Sequence, residues 1–283
     1  MEIRQAVFAG SWYPSDPAEC ERQIRSFITE GKADDPQRKA LAGIVPHAGW
    51  YYSGSIACNV IRALQAGPPA DTIVLFGMHL HPGSPRYLMT AGAWETPFGS
   101  IEIDRELAGR LSDRFSFEIE TPRRFSRDNT IELQLPFVKY FFPNAGLVPL
   151  GVPPDPASLE IGRAVVEIAS QLGEQVKVIG STDLTHYGFN YGFTAHGTGE
   201  SAVQWVKGEN DRRIIEAMLA MEPESVIDEA KASHNACCAG AAATTIASAQ
   251  KLGATRAEKM AYATSYDKSP GDSFVGYVGI LFE

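Results

Sequence analysis

The chain has 283 residues, 44% hydrophobic and 21% charged, enough to bury a substantial core in one large α/β domain. Its formal net charge of -9, without a basic cluster, argues against nucleic acid or an anionic membrane as principal partner. The opening "MEIRQAVFAGSWYPSDP" lacks the basic and apolar regions of a signal peptide, no apolar run reaches a membrane span, and the four cysteines are not spaced as a disulfide framework, so a reducing, cytoplasmic setting is expected.

The first predicted element is a helix over "PAECERQIRSFITE". Asp16 is placed to cap it, Pro17 suits its first turn, and Cys20, Ile24, Phe27 and Ile28 share a face. Leu41–Val45 (LAGIV) is apolar without alternation, as in a strand buried on both faces. A helix is expected across "GSIACNVIRALQAG", then a second buried strand at Thr72–Gly77. Residues 82–101, rich in Pro and Gly, read as an excursion at the edge of a site. "DRELAGRLSDR" is a helix with Asp104 as cap, and "PASLEIGRAVVEIASQLG" is a longer one closed by Gly173. Val176–Asp183 (VKVIGSTD) is the third buried strand. "NACCAGAAATTIASAQKLG" is a helix whose small residues suit close packing on a sheet, and the final 25 residues read as two strands joined by a Pro-Gly turn. Strands alternating with helices, with no repeat or linker, predict a single domain over 1–283 built as an α/β sandwich.

Ligands of open α/β sheets bind beyond the carboxyl ends of the strands. After the first strand comes Pro46-His47-Ala48-Gly49, with Trp50 and Tyr51 expected to wall a pocket; after the second, Met78-His79-Leu80-His81; after the third, Asp183 and His186. Three strand ends each delivering a histidine point to one convergent site. In "SHNACCAG", Asn235 is expected to cap a helix and put Cys237 and Cys238 in its first turn, where N–H groups and the helix dipole favour a thiolate. A free cysteine also commonly serves as a small buried hydrophobe. Two imidazoles and one thiolate suit iron(II), copper or zinc with a coordination position open. His81 reads as a loop residue, His196 as exposed, and His234 as orienting the helix cap or bordering the pocket. Glu132 and Gln134 read either as support for the site or as a solvated helix face, and Arg123 and Arg124 as a solvated loop.

The ordered segments "FAGSWYP", "PHAGWYYSG", "ETPFGSIEID", "DNTIELQLPF", "STDLTHYG", "HNACCAG" and "GDSFVGYVGILF" span nearly the whole chain. Together they resemble the Memo family (mediator of cell motility), whose bacterial and archaeal members are also called AmmeMemoRadiSam system protein B. The resemblance implies a fold similar to class III extradiol dioxygenases: a three-layer α/β/α sandwich with a central, mostly parallel, mixed sheet. It implies a redox-active metal, iron most of all, copper next and zinc less, held by His47, His79 and Cys238. Asp183 and His186 would then line the pocket as acid/base or supporting groups. Gly77-Met78-His79 is one residue shorter than the family's usual segment, which leaves His81 as the alternative second ligand; Cys237 is the alternative thiolate. Asn129, in Asp128-Asn129-Thr130, stands where the family commonly has a histidine. The implied function is an oxidoreductase that admits O2 or a small-molecule substrate to the metal. Alternatives are ring cleavage of a catechol-like substrate with His186 as acid/base, a non-catalytic peptide- or protein-binding module, and a metal-free cysteine hydrolase using Cys238, His186 and Asp183. A shared pathway with radical-SAM and AMMECR-type proteins is also implied.

Overall fold

A computed structural model describes residues 1–31, 38–67 and 69–283. The first half of the chain forms β1 (Ile3–Arg4), α1 (Pro17–Glu30), β2 (Ala42–Val45), α2 (Trp50–Ala63), β3 (Thr72–Gly77), β4 (Tyr87–Met89), β5 (Ala93–Trp94), β6 (Ile101–Glu102), α3 (Arg105–Arg114), β7 (Glu118–Glu120), α4 (Asn129–Glu132) and α5 (Leu135–Phe141). The second half forms β8 (Gly146–Gly151), α6 (Pro156–Leu172), β9 (Val176–Ser181), β10 (His186–Gly188), α7 (Glu200–Trp205), α8 (Asp211–Leu219), α9 (Pro223–Ser233), α10 (Ala239–Leu252), β11 (Ala257–Thr264) and β12 (Ser273–Phe282).

The three apolar runs are β2, β3 and β9, and every residue in them is buried. They sit side by side with β8 in the order β2-β9-β3-β8, all parallel. Antiparallel neighbours extend the sheet at both sides, β12 beside β2 and β4 beside β8, so the whole is mixed. Pro149 lies within β8, where a missing N–H argues against an inner strand. It is accommodated because β4 pairs with β8 only at Leu150 and Gly151, beyond the proline.

Two glycines show how helices cover both faces. Gly43 of β2 pairs in register with Ile179 and Ile44 with Gly180, so the glycines point to opposite sides of the sheet. A Cβ at Gly43 would come 2.6 Å from Val60 of α2, and one at Gly180 would come 2.3 Å from Thr245 Oγ1 of α10. One helix therefore presses on each face at glycine distance, which is the three-layer α/β/α sandwich. Helices α6 and α9 pack along α10, and α1 and α5 along α2. The expected caps form: Asp16 accepts from Glu19 N–H, Asp104 opens α3, and Gly173 closes α6 at φ 76. No helix among the described residues is long and apolar enough to cross a membrane.

Three local expectations change. Helix α2 begins at Trp50, whose ring turns inward, stacks on Phe137 at 4.1 Å and donates from Nε1 to Leu133 O. Trp50 therefore belongs to the core and does not wall a pocket; the next residue in the helical rotation, Tyr51, is 65% exposed. Residues 82–101 supply β4, β5 and part of β6, and of them only Pro82 lines a cavity at the site. Glu132 is neither a solvated face nor a pocket group: its Oε1 accepts from the N–H groups of Val7 and Phe8, both at 2.7 Å, and from Tyr13 OH at 3.2 Å. It clamps the N-terminal segment to α4. Glu132→Ala leaves those donors unpaired and is expected to lower stability by about 1–3 kcal/mol in urea unfolding.

Candidate metal centre

The carboxyl ends of β2, β3 and β9 deliver His47, His79 and Asp183 into one crevice, as the positions of the apolar runs imply. The His47 backbone is held on three sides. Its N–H donates to Asp183 Oδ1 at 2.7 Å, its carbonyl accepts from Asn129 Nδ2 at 2.8 Å, and the preceding Pro46 carbonyl accepts from Gln134 Nε2. The ring pairs through Nδ1 with Ser181 Oγ at 2.9 Å, which aims Nε2 at the crevice. Beyond β3, Met78 adopts a left-handed φ of 72 and donates its N–H to Thr130 Oγ1. That turn presents His79, whose N–H and Nδ1 both meet Asp128 Oδ2, at 3.1 and 2.9 Å. Its Nε2 is thereby left for the site, and the two imidazoles stand edge to face with centroids 5.0 Å apart. His81 takes no part: it is exposed, and its N–H donates to Ser84 Oγ.

The cysteines arrive differently from the sequence expectation. Helix α9 ends at His234, in a left-handed φ of 51, and α10 starts only at Ala239 with Cys238 as its cap residue. Asn235 does not cap α10; its buried Nδ2 donates to Asn210 O and Glu229 Oε1. The loop is fastened to the end of β9 instead. Cys237 N–H donates to Asp183 O, Asp183 N–H donates to Cys237 Sγ at 3.3 Å, and Cys238 N–H donates to Thr182 Oγ1. The result puts Cys237 Sγ 3.3 Å from His47 Nε2, with Cys238 Sγ 3.7 Å from its neighbour's sulfur. Cys237 is thus the thiol in contact with His47, while Cys238, the thiolate expected from the sequence, lies behind it but still within 4.8 Å of both imidazoles.

Ligand atoms of His47, His79, Cys237 and Cys238 all lie within 4.8 Å of one another. A metal bonded at roughly 2.0–2.3 Å to tetrahedral N and S donors keeps them roughly 3.3–3.8 Å apart. The 3.3 Å between His47 Nε2 and Cys237 Sγ meets that requirement, so the donor set fits a transition metal. Electrostatics agree. Burial alone would raise the Cys237 thiol, but Cys238, His47 and His79 reverse this and hold it well below its ordinary value, while Cys238 is pushed well above. Burial would lower His79, yet Asp128 and Cys237 raise it to about 10, and Asp128 is held at about 2.

His186 opens β10, stacks on Tyr191 at 5.0 Å, and places Nε2 3.9 Å from Asp183 Oδ2. Burial works against its charge, but Asp183 and Cys237 raise its proton affinity. Asp183 thus stands between His47 and His186, and Cys238 is not joined to them as a triad. Two cavities meet here. One of about 660 Å³ is lined by His47, Asn129, Asp183, Tyr51 and Tyr52; the other, about 820 Å³, by Cys237, His81, Phe193, Lys231 and His234. His79, His186 and Tyr191 border both. Strand β12 runs on past the end of β2, and its Val275 and Tyr277 line the first cavity. Ser181 and Thr182, which steady His47 and Cys238, were not singled out from sequence; adjacency to Asp183 at a strand end was the available signal.

The model of the Memo-like protein family matches residues 4–281. A MEMO1 family protein of Pyrococcus furiosus is 33% identical, covering 99% of this chain and 98% of its own length. Relatives described in the same words in Pyrococcus abyssi and Methanopyrus kandleri are each 34% identical, covering 99% and 100% of this chain and 99% of their own lengths. The chain belongs to the Memo family.

The geometry separates the paired alternatives. His79→Ala and Cys237→Ala are expected to weaken metal binding by roughly 100-fold or more, and His81→Ala and Cys238→Ala by less than about tenfold, in anaerobic titrations followed by metal content. Because a metal needs neutral imidazoles and His79 is raised to about 10, uptake near pH 7 should expel the His79 proton, and affinity should rise with pH toward about 10. Calorimetry in buffers of different ionisation enthalpy measures proton release, which should fall in His79→Ala. In the metal-free protein the same shift stabilises the fold fully below 6.5 and is lost as pH rises through about 10.

Proposed function

We propose that this chain is a metal-dependent oxidoreductase. His47, His79 and Cys237 would hold iron, with copper as the second choice, and a small organic substrate or O2 would approach through the two cavities. The observation that carries this reading is the convergence of two imidazole nitrogens and a charge-favoured sulfur at the junction of those cavities, with His186 and Asp183 alongside. Imidazole and thiolate together suit iron and copper; zinc also suits them but brings no redox chemistry. The metal, when bound, supplies a Lewis acid and a one-electron centre.

The chain's own residues do the rest. Asp128 and Ser181 fix which nitrogen each imidazole presents. His186, its proton affinity raised by Asp183 and lining both cavities, would serve as the acid/base group toward a substrate in either. Asn129 cannot share that role, since an amide does not titrate and its Nδ2 is committed to the His47 carbonyl. A thiolate in place of a carboxylate donor gives no support to transferring catechol cleavage from fold likeness alone. Neither cavity is lined by an arginine, so a phosphopeptide pocket finds no support either. The contact of Cys237 with His47 favours one second reading, a metal-free nucleophilic cysteine with His47 as base.

The test is anaerobic loading with iron(II) or copper(I), followed by oxygen consumption with ascorbate as reductant and a panel of catechols. Loaded protein should consume oxygen. His47→Ala should lose metal and consumption together, and His186→Gln should keep the metal while slowing consumption at least about tenfold. Absence of bound iron and copper overturns the proposal, ester hydrolysis that survives chelators and is lost in Cys237→Ala selects the nucleophilic cysteine, and a coloured ring-opened product selects dioxygenase chemistry.

A further inference from the structure

Adjacent side chains on an extended segment point to opposite faces. Cys237 and Cys238 break that rule because the turn leading into α10 sets both sulfurs on one side, 3.7 Å apart. Each residue's backbone is pinned to the end of β9, Cys237 through Asp183 and Cys238 through Thr182, so the pair is held in this arrangement. Access is unequal. Cys237 lines the larger cavity, while Cys238 is 2% exposed. Cys20 and Cys58 are buried and line neither cavity.

We propose that Cys237 and Cys238 are a redox modification site for hydrogen peroxide and small hydroperoxides, closing reversibly to a disulfide between neighbouring residues. The Cys237 sulfur attacks one peroxide oxygen; an S–O bond forms, the O–O bond breaks, and the departing hydroxide, or alkoxide from a hydroperoxide, takes the proton that the Cys237 thiol gives up and leaves as water or alcohol. The Cys238 sulfur then attacks the Cys237 sulfenic acid. An S–S bond forms, the S–O bond breaks, and the leaving hydroxide takes the Cys238 proton as a second water. Both sulfurs are oxidised by one electron each, and the peroxide is reduced. Closure brings the sulfurs from 3.7 Å to about 2.05 Å, a movement side-chain rotation supplies in part while the pinned turn supplies the starting geometry. Where the metal reading above holds, the disulfide removes the sulfur donor beside His47 and switches the centre off.

The experiment treats full-length, metal-free, reduced protein with equimolar hydrogen peroxide, removes the excess with catalase, and maps alkylated peptides. The fragment containing both residues should be lighter by about 2 Da and resist alkylation, free thiols should fall from four to two, and dithiothreitol should restore all four. Cys20→Ser/Cys58→Ser should behave likewise, and Cys238→Ser should instead trap a sulfenic acid at Cys237. Four unchanged thiols, oxygen addition at Cys237 in the unaltered chain, or a bond between two chains overturns the proposal. A separate arm titrates cobalt(II) anaerobically into reduced and oxidised protein, with affinity expected to fall at least about tenfold on oxidation. Cobalt binding without a disulfide defeats this inference alone; a disulfide in a protein that binds no cobalt when reduced defeats the metal reading alone.

Discussion

Asp183 joins three stretches of chain that are far apart in sequence. Its carboxylate accepts the N–H of His47, 136 residues earlier, and its backbone exchanges contacts with Cys237, 54 residues later. A buried carboxylate is costly unless it is hydrogen-bonded, and a backbone N–H is a partner that neither titrates nor swings away. The site is therefore built from the end of β9 outward. Moving that strand end would disturb both the first imidazole and the sulfur, whereas the second imidazole depends on a different anchor, Asp128 at the start of α4.

Much of this was legible in the sequence, and for a physical reason. Strands buried on both faces must be apolar throughout, so β2, β3 and β9 announce themselves, and the polar residues that follow them must lie at the sheet's carboxyl edge. His47, His79, Asp183 and His186 were found that way. β8 was hidden by Pro149, whose tolerance depends on how far β4 extends. The choice between Cys237 and Cys238 was not legible, because it turns on where α10 starts. That start is decided by tertiary bonds: Asn235 is drawn to Asn210 and Glu229, and the cysteines to β9. Trp50 illustrates the same limit. The helix expected from Gly54 begins at Trp50, and successive helical residues point about 100° apart, so Trp50 faces the core while Tyr51 faces out. Glu132 was ambiguous because its partners, Val7, Phe8 and Tyr13, lie more than a hundred residues away.

The two cavities give the centre two chemically distinct approaches. On one side the walls carry hydroxyl and amide groups, from Tyr51, Tyr52, Ser265 and Asn129. On the other they are largely apolar, with Leu80, Phe193 and Ile227 below the cationic Lys231. His79, His186 and Tyr191 line both cavities and so stand where the two meet.

Met78 carries a consequence of its own. A left-handed backbone at a residue other than glycine costs on the order of 1–3 kcal/mol and persists only where surroundings enforce it. Here the enforcement comes from Thr130 Oγ1, and from the bare Gly151, where a Cβ would lie 2.2 Å from the Met78 sulfur. The turn is therefore held by groups that belong to other parts of the chain. The reach of the second imidazole is thus set by α4 and β8 as well as by the strand that bears it.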